Sequence, residues 1–217
     1  MNGKNKPEGS TIHLSVSDQE GNIVSYTSTI ISFGGNGIVV PGYGFILNNA
    51  LIGMFSAKDK SSPNYPAPNK RPLSSMSPTI VMKDGKPVIT LGSPGSETIM
   101  TTVLQTIINY LDFDMNFPEA IASPRLSQMN NEHGKTHYEE IFQDKYMIQG
   151  KNLLEDLKEM GHEFKLEKNP QGLGTTTGLE FLLDGRVRAV AEPIRRGGGH
   201  AMVQYPSKET GVSHIAE

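Results

Sequence analysis

From Thr11 to Ser17 the chain alternates, with Ile12, Leu14 and Val16 on one face and Thr11, His13 and Ser15 on the other. A Glu20-Gly21-Asn22 turn follows, and Ile23 to Ile31 is again β-branched, so the stretch predicts a β-hairpin. Thr79 to Met82 and Pro87 to Leu91 flank Asp84-Gly85, and Thr175 to Leu183 and Arg186 to Ala191 flank Asp184-Gly185. These predict two more hairpins. Between them Ile99, Val103, Leu104, Ile107, Ile108 and Leu111 recur at helical spacing, predicting a helix from Glu97 to Leu111. A shorter helix should start near Pro118, and another should run from Lys151 to Met160, stopped by Gly161. Gly34-Gly35-Asn36-Gly37 precedes a short apolar segment ending Phe45-Ile46-Leu47, and residues 56–72 read as a loop containing Pro and Lys. Helices lying between groups of antiparallel hairpins predict an α+β fold with layered sheets. No internal repeat or interdomain linker interrupts the pattern.

Composition agrees with a folded, turn-rich domain: 36% apolar and 20% charged residues, with 23 Gly and 14 Pro. Twenty basic residues against 23 acidic ones leave a net charge of −3. Without a basic block there is no electrostatic pull toward nucleic acid or an anionic membrane, and neither is expected as a partner. No apolar run approaches the roughly 20 residues of a membrane helix. The polar start from Met1 to Ser10 lacks the apolar core of a signal peptide, so none is expected in it. The absence of cysteine excludes disulfides, thiolate chemistry and Cys-based metal sites. The histidines show no ligand spacing, so no metal and no cofactor are expected.

The candidate chemistry lies in the first strand. A threonine hydroxyl is a poor nucleophile until a base takes its proton. Cutting the chain immediately before a Thr makes its own α-amine that base, and such an amine ordinarily titrates at about 7.7–8.0. Thr11 heads a strand after a pliable Gly9-Ser10 lead, which suits such an arrangement. A Thr at that place is equally at home as an ordinary β-former.

A series of ordered motifs carries the reading further. They are Thr11-Ile12-His13-Leu14-Ser15-Val16, Gly21-Asn22-Ile23-Val24-Ser25, Thr27-Ser28-Thr29-Ile30 and Gly44-Phe45-Ile46-Leu47-Asn48-Asn49. Lys70-Arg71-Pro72-Leu73-Ser74-Ser75-Met76-Ser77-Pro78-Thr79-Ile80, Leu91-Gly92-Ser93-Pro94-Gly95, Ala122-Ser123-Pro124-Arg125 and Glu192-Pro193-Ile194-Arg195-Arg196-Gly197 follow in order. Together they resemble the small catalytic subunit of the γ-glutamyltranspeptidases, over essentially Thr11 to Tyr205. The resemblance implies an α+β, four-layer αββα sandwich of the N-terminal-nucleophile hydrolases, with strands 11–17 and 23–31 adjacent and central. It divides the chain into a flexible segment, 1–10, before a self-cleavage site and a catalytic domain, 11–217.

By the same resemblance Thr11 is the nucleophile and Ser10–Thr11 the bond that the precursor cuts in itself. Thr29 hydrogen-bonds the nucleophile and assists processing. The backbone amides of Gly95 and Ser96 form an oxyanion hole, in a turn that could otherwise be a simple helix cap. Ser74 and Ser75 bind the substrate α-carboxylate, and His13 is a scaffold residue. The expected partners are the large subunit of the same precursor and a small-molecule γ-glutamyl or related acyl substrate. Four positions depart from the family pattern: Ser96 replaces the second Gly of the oxyanion turn but keeps its N–H, Ile31 replaces an Asn, and Ala50 and Gly53 replace the acids that hold a substrate ammonium. That leaves three readings open: a γ-glutamyl amidohydrolase or acyltransferase, an acylase for glutaryl-type acyl groups, and a non-catalytic member.

Overall fold

The computed structural model describes residues 10–51, 59–128, 134–145, 147–148, 151–168, 173–195 and 198–204. The first hairpin comprises β1 (Ile12–Ser17) and β2 (Ile23–Ser28), antiparallel with Ile12 opposite Ser28 and Val16 opposite Val24. β3 (Thr79–Lys83) and β4 (Lys86–Gly92) form the second, around a turn in which Asp84 and Gly85 both take positive φ. β10 (Thr177–Phe181) and β11 (Val187–Val190) form the third. The last two hairpins join edge to edge into one antiparallel sheet ordered β11-β10-β4-β3.

α1 (Ile99–Leu111) follows a 3-10 turn over Ser96–Thr98, and α2 spans Phe117–Ala122. The N-terminus of α2 lies where Pro118 suggested: Asn116 caps it by accepting the Glu119 N–H at 3.0 Å. Both helices cover one face of the four-stranded sheet, and the core forms there from Ile89, Leu91, Ile99, Val103, Phe117 and Ile121. Alternation along β4 turns Thr90 to the other face, toward the β1–β2 hairpin, which lies across the sheet with Ser25 Oγ donating to the Leu91 carbonyl at 3.2 Å. The order is therefore helices, sheet, hairpin: three of the layers expected of an αββα sandwich, in the α+β class that the pattern predicted.

The hairpin is oriented unusually. Its polar row faces the sheet and its apolar row faces outward, leaving Ile12 60%, Val16 54% and Tyr26 53% exposed. The adjacency of β1 and β2 is as expected, but their central position is not found within this chain. They make a two-stranded sheet of their own, and among the described residues no strand pairs with either outer edge.

The remaining elements were legible in the sequence only in part. β5 (Leu126–Gln128), β6 (Thr136–Tyr138) and β9 (Phe164–Leu166) form a small side sheet in which β6 and β9 run parallel. α3 (Glu140–Lys145) and the two-residue strands β7 (Met147–Ile148) and β8 (Lys151–Asn152) precede α4 (Leu153–Glu159). The predicted helix over 151–160 thus begins two residues later, after β8. Each strand of the side sheet is three residues long, too short to show a period, and the β6–β9 pairing links distant segments.

Candidate active site

The hairpin register continues one step beyond its last paired residues, setting Thr29 opposite Thr11. Thr11, His13 and Ser15 share a face with Ser25, Thr27 and Thr29, because cross-strand partners project to the same side. Thr11 Oγ1 donates to Thr29 Oγ1 at 3.0 Å. Thr29 Oγ1 also accepts the Ile31 N–H at 2.8 Å, so this oxygen receives two hydrogen bonds while its own proton is left to give. Ser10 is tied down as well: its N–H and its hydroxyl both donate to the Ile31 carbonyl, at 3.2 and 3.3 Å.

His13 is fixed between Thr27 Oγ1 at 2.8 Å and Ser15 Oγ at 3.1 Å. Its ring lies against Gly92, where an added Cβ would come within 2.3 Å of the imidazole. Burial pushes the imidazole pKa down to about 4, so the ring is neutral at pH 7 and has one donor and one acceptor for its two hydroxyl neighbours. Its place is that of a spacer seating the hairpin on β4.

Three residues after Gly92 comes the second half of the site. Gly95 has φ 146° and ψ 9°, and Ser96 has φ 55°. A Cβ on Gly95 would stand 2.6 Å from Thr98 Oγ1 and 3.0 Å from the Gly174 Cα, so this position needs glycine on both conformational and steric grounds. The Gly95 carbonyl accepts from the Thr98 N–H and hydroxyl, at 3.1 and 2.8 Å. Among the described residues, neither the Gly95 nor the Ser96 N–H has a hydrogen-bond partner. Two unfilled amide donors on a rigid turn can stabilise an oxyanion. Ser75 Oγ donates to the Ser96 carbonyl at 2.7 Å, while Ser74 Oγ accepts the Met76 N–H at 3.2 Å.

The residues singled out from the sequence therefore fall into two groups. Thr11 and Thr29 are in direct contact; Ser75 and Ser96 are in direct contact, with Ser74 and Gly95 beside them; the His13–Gly92 packing connects the two. Ala50 lies among the described residues, its N–H bonded to Asn48 Oδ1 at 3.0 Å, and Gly53 lies outside them.

One feature was missed in the sequence. Arg125 and Glu192 pair at 2.9 Å with side chains 2% and 0% exposed, and Arg195 bonds Glu192 at 3.0 Å and Glu139 at 2.5 Å. Arg125 also donates to the carbonyls of Leu173 and Gly174 and to that of Ile121. Burial first, then the neighbouring Arg195 charge, lower the Arg125 pKa to about 10, against the pull of both glutamates, and it stays charged. Burial would raise the Glu139 carboxyl, but the Arg195 hydrogen bonds and charge prevail and hold it below the usual range. The network fixes Gly174, on which Gly95 rests. Its arginines and Glu192 stand in the motifs Ser-Pro-Arg and Glu-Pro-Ile-Arg, but nothing local marks them as partners. Among the described residues no group of three His, Asp or Glu side chains stands together as a metal site.

A family profile described as gamma-glutamyltranspeptidase matches residues 1–202. A glutathione hydrolase proenzyme of Bacillus subtilis is 42% identical over 195 residues, covering 89% of this chain and 31% of that protein. An acylase proenzyme of a Pseudomonas species is 31% identical over 197 residues, covering 88% of this chain and 33% of that protein. The chain thus spans about a third of the length of these two relatives. Among solved structures, a γ-glutamyltranspeptidase of Pseudomonas nitroreducens complexed with L-DON is similar with a TM-score of 0.71 at 31% identity. That alignment covers 89% of this chain and 99% of the solved one.

Proposed function

This chain belongs to the γ-glutamyltranspeptidase family, and from that premise we propose that it is the nucleophile-bearing portion of a Thr-dependent amidohydrolase and acyltransferase acting on γ-glutamyl amides. The observation that carries the reading is the 3.0 Å hydrogen bond from Thr11 Oγ1 to Thr29 Oγ1 at the mouth of the hairpin. In self-cleavage Thr11 Oγ attacks the Ser10 carbonyl carbon while its proton moves toward Thr29. The Ser10–Thr11 C–N bond breaks, the Thr11 nitrogen takes up a proton, and Ser10 is left as an ester on Thr11 Oγ. Water hydrolyses that ester, releasing the Ser10 carboxylate and restoring the hydroxyl, now beside a free α-amine.

In turnover the amine takes the Thr11 proton as Oγ attacks the substrate amide. The Gly95 and Ser96 amides receive the developing oxyanion, and the protonated amine then gives its proton to the leaving amine. The acyl-enzyme passes its acyl group to water or to an acceptor amine. Ser74 and Ser75 would take the substrate carboxylate; Ser75 would turn its hydroxyl from the Ser96 carbonyl to do so. The remaining part of the precursor is proposed as a large-subunit partner, which the uncovered apolar face of the hairpin favours. The test is the mass of the purified full-length protein. Two fragments, one beginning at Thr11, are expected, and an intact chain with full activity would refute the mechanism.

A second reading, an acylase for glutaryl-type acyl groups, is favoured by Ala50. A substrate ammonium facing it in place of a carboxylate would be desolvated without compensation.

A further inference from the structure

Five non-glycine residues have positive φ among the described residues: Ile31, Asn69, Asp84, Ser96 and Asp114. Three of them are Asn or Asp, which tolerate the left-handed region, and Ser96 belongs to the Gly95 turn already described. Ile31, at φ 69°, is β-branched and does not tolerate that region. Such a conformation persists only where the surroundings hold it. Here the holder is Asn49. Its N–H donates to the Ile30 carbonyl at 3.2 Å, its Oδ1 accepts the Ser32 N–H at 3.0 Å, and its Nδ2 donates to Ser32 Oγ at 2.9 Å. One residue thus grips the chain on both sides of the kink.

What the kink does is visible in the two peptide groups of Ile31. The N–H goes to Thr29 Oγ1, the atom that accepts the Thr11 proton, and the carbonyl holds Ser10, whose own carbonyl carbon is the point of attack in self-cleavage. With an extended Ile31 these two groups would no longer be turned toward both sides of the Ser10–Thr11 bond. We infer that Asn49, by holding Ile31 in the left-handed conformation, is a positioning residue for self-cleavage: it aligns Thr29 and Ser10 on the two sides of the bond to be cut. The inference rests on the proposed self-cleavage at that bond. One arm of the device ends on Ser10, which departs with cleavage, so its weight falls on processing more than on turnover.

The experiment follows processing of the full-length protein by mass, in the parent and in Asn49→Ala, Ile31→Gly and the double variant. Because misplacing reacting groups by about 1 Å costs on the order of a hundredfold, Asn49→Ala should slow cleavage about tenfold or more. Glycine takes positive φ without strain, so Ile31→Gly in the Asn49→Ala background should recover about threefold or more of that loss. A purely structural Asn49 would not be rescued in this way. Ile31→Gly alone, which keeps both peptide groups, is the reference against which the double variant is read. If Asn49→Ala does not fold, Asn49→Asp, which retains the acceptor for the Ser32 N–H, takes its place in both arms. Parental cleavage rates in Asn49→Ala, or no rescue by glycine, would overturn the inference while leaving self-cleavage intact. A parent that never yields a fragment beginning at Thr11 would overturn both.

Discussion

Glu192→Gln is a near-isosteric change that removes one charge from the buried network. Both carboxylate oxygens of Glu192 face donors only: Oε2 accepts Arg125 Nη2 at 2.9 Å and the Thr176 N–H at 3.4 Å, Oε1 accepts Arg195 Nη1 at 3.0 Å and the Ile194 N–H at 3.2 Å. Whichever oxygen becomes an amide nitrogen meets donors with a donor, and Glu139 is left as the one carboxylate between two buried guanidinium groups. Breaking a buried pair in this way costs about 3–5 kcal/mol, a large share of the roughly 5–15 kcal/mol that holds a domain together. A thermal melt of the full-length protein should therefore fall by on the order of 10 °C. Gly174 is bonded to Arg125 through its carbonyl at 3.1 Å and lies against Gly95, so kcat should fall as the turn loosens while KM changes less. A melting point within about 2 °C of the parent would refute the reasoning. It would mean that the network is solvated or that the polar contacts are not worth what their burial implies.

Thr11→Ala should abolish both self-cleavage and turnover, by several powers of ten, since both need the same hydroxyl; an uncleaved but active variant would refute the role of the freed amine. Gly95→Ala must accommodate a Cβ 2.6 Å from Thr98 Oγ1 at a φ that favours glycine, and loss of an oriented oxyanion donor is worth about 10²–10³ in kcat; undiminished kcat would remove this turn from the mechanism. The His13 pKa is depressed to about 4, so the unfolded chain takes up a proton below about 6.5 that the folded one resists. Stability should therefore be fully present above pH 6.5 and decline toward pH 4, by about 1–2 kcal/mol after allowance for solvent screening, and His13→Gln should flatten that slope in a pH series of melts. Finally, Ala50 and Gly53 predict that kcat/KM for γ-glutamyl- and glutaryl-p-nitroanilide differ by no more than about tenfold in the processed enzyme. A preference above about a thousandfold for the amino compound would mean that another carboxylate meets its ammonium.

Local order was legible in the chain because it has local causes. Asp84-Gly85 and Asp184-Gly185 mark turns by their backbone chemistry, and the spacing of Ile99, Val103 and Ile107 marks α1 by its period. The alternation from Thr11 to Ser17 placed the hydroxyls of the first strand on one face, and the family resemblance supplied Thr29 as their partner, which the register then set 3.0 Å away. No local pattern could say which face of the hairpin turns inward. By hydrophobicity alone Ile12, Leu14 and Val16 should be buried, yet the polar row packs on β4 because His13 fits the space above Gly92 and Ser25 reaches the Leu91 carbonyl. The same holds for the side sheet, whose three-residue strands gain definition only from one another.

The sequence by itself determined the hairpins, the main helix and the α+β class, since each depends on neighbours a few residues away, while the groups proposed to react were named by the family resemblance. Tertiary structure alone decided how the reactive groups meet. The meeting of Arg125 with Glu192, the seating of Gly95 on Gly174 and the bracketing of Ile31 by Asn49 all join positions far apart in the chain. Their energies arise from desolvated charge, steric contact and backbone strain, and these exist only once the layers have packed.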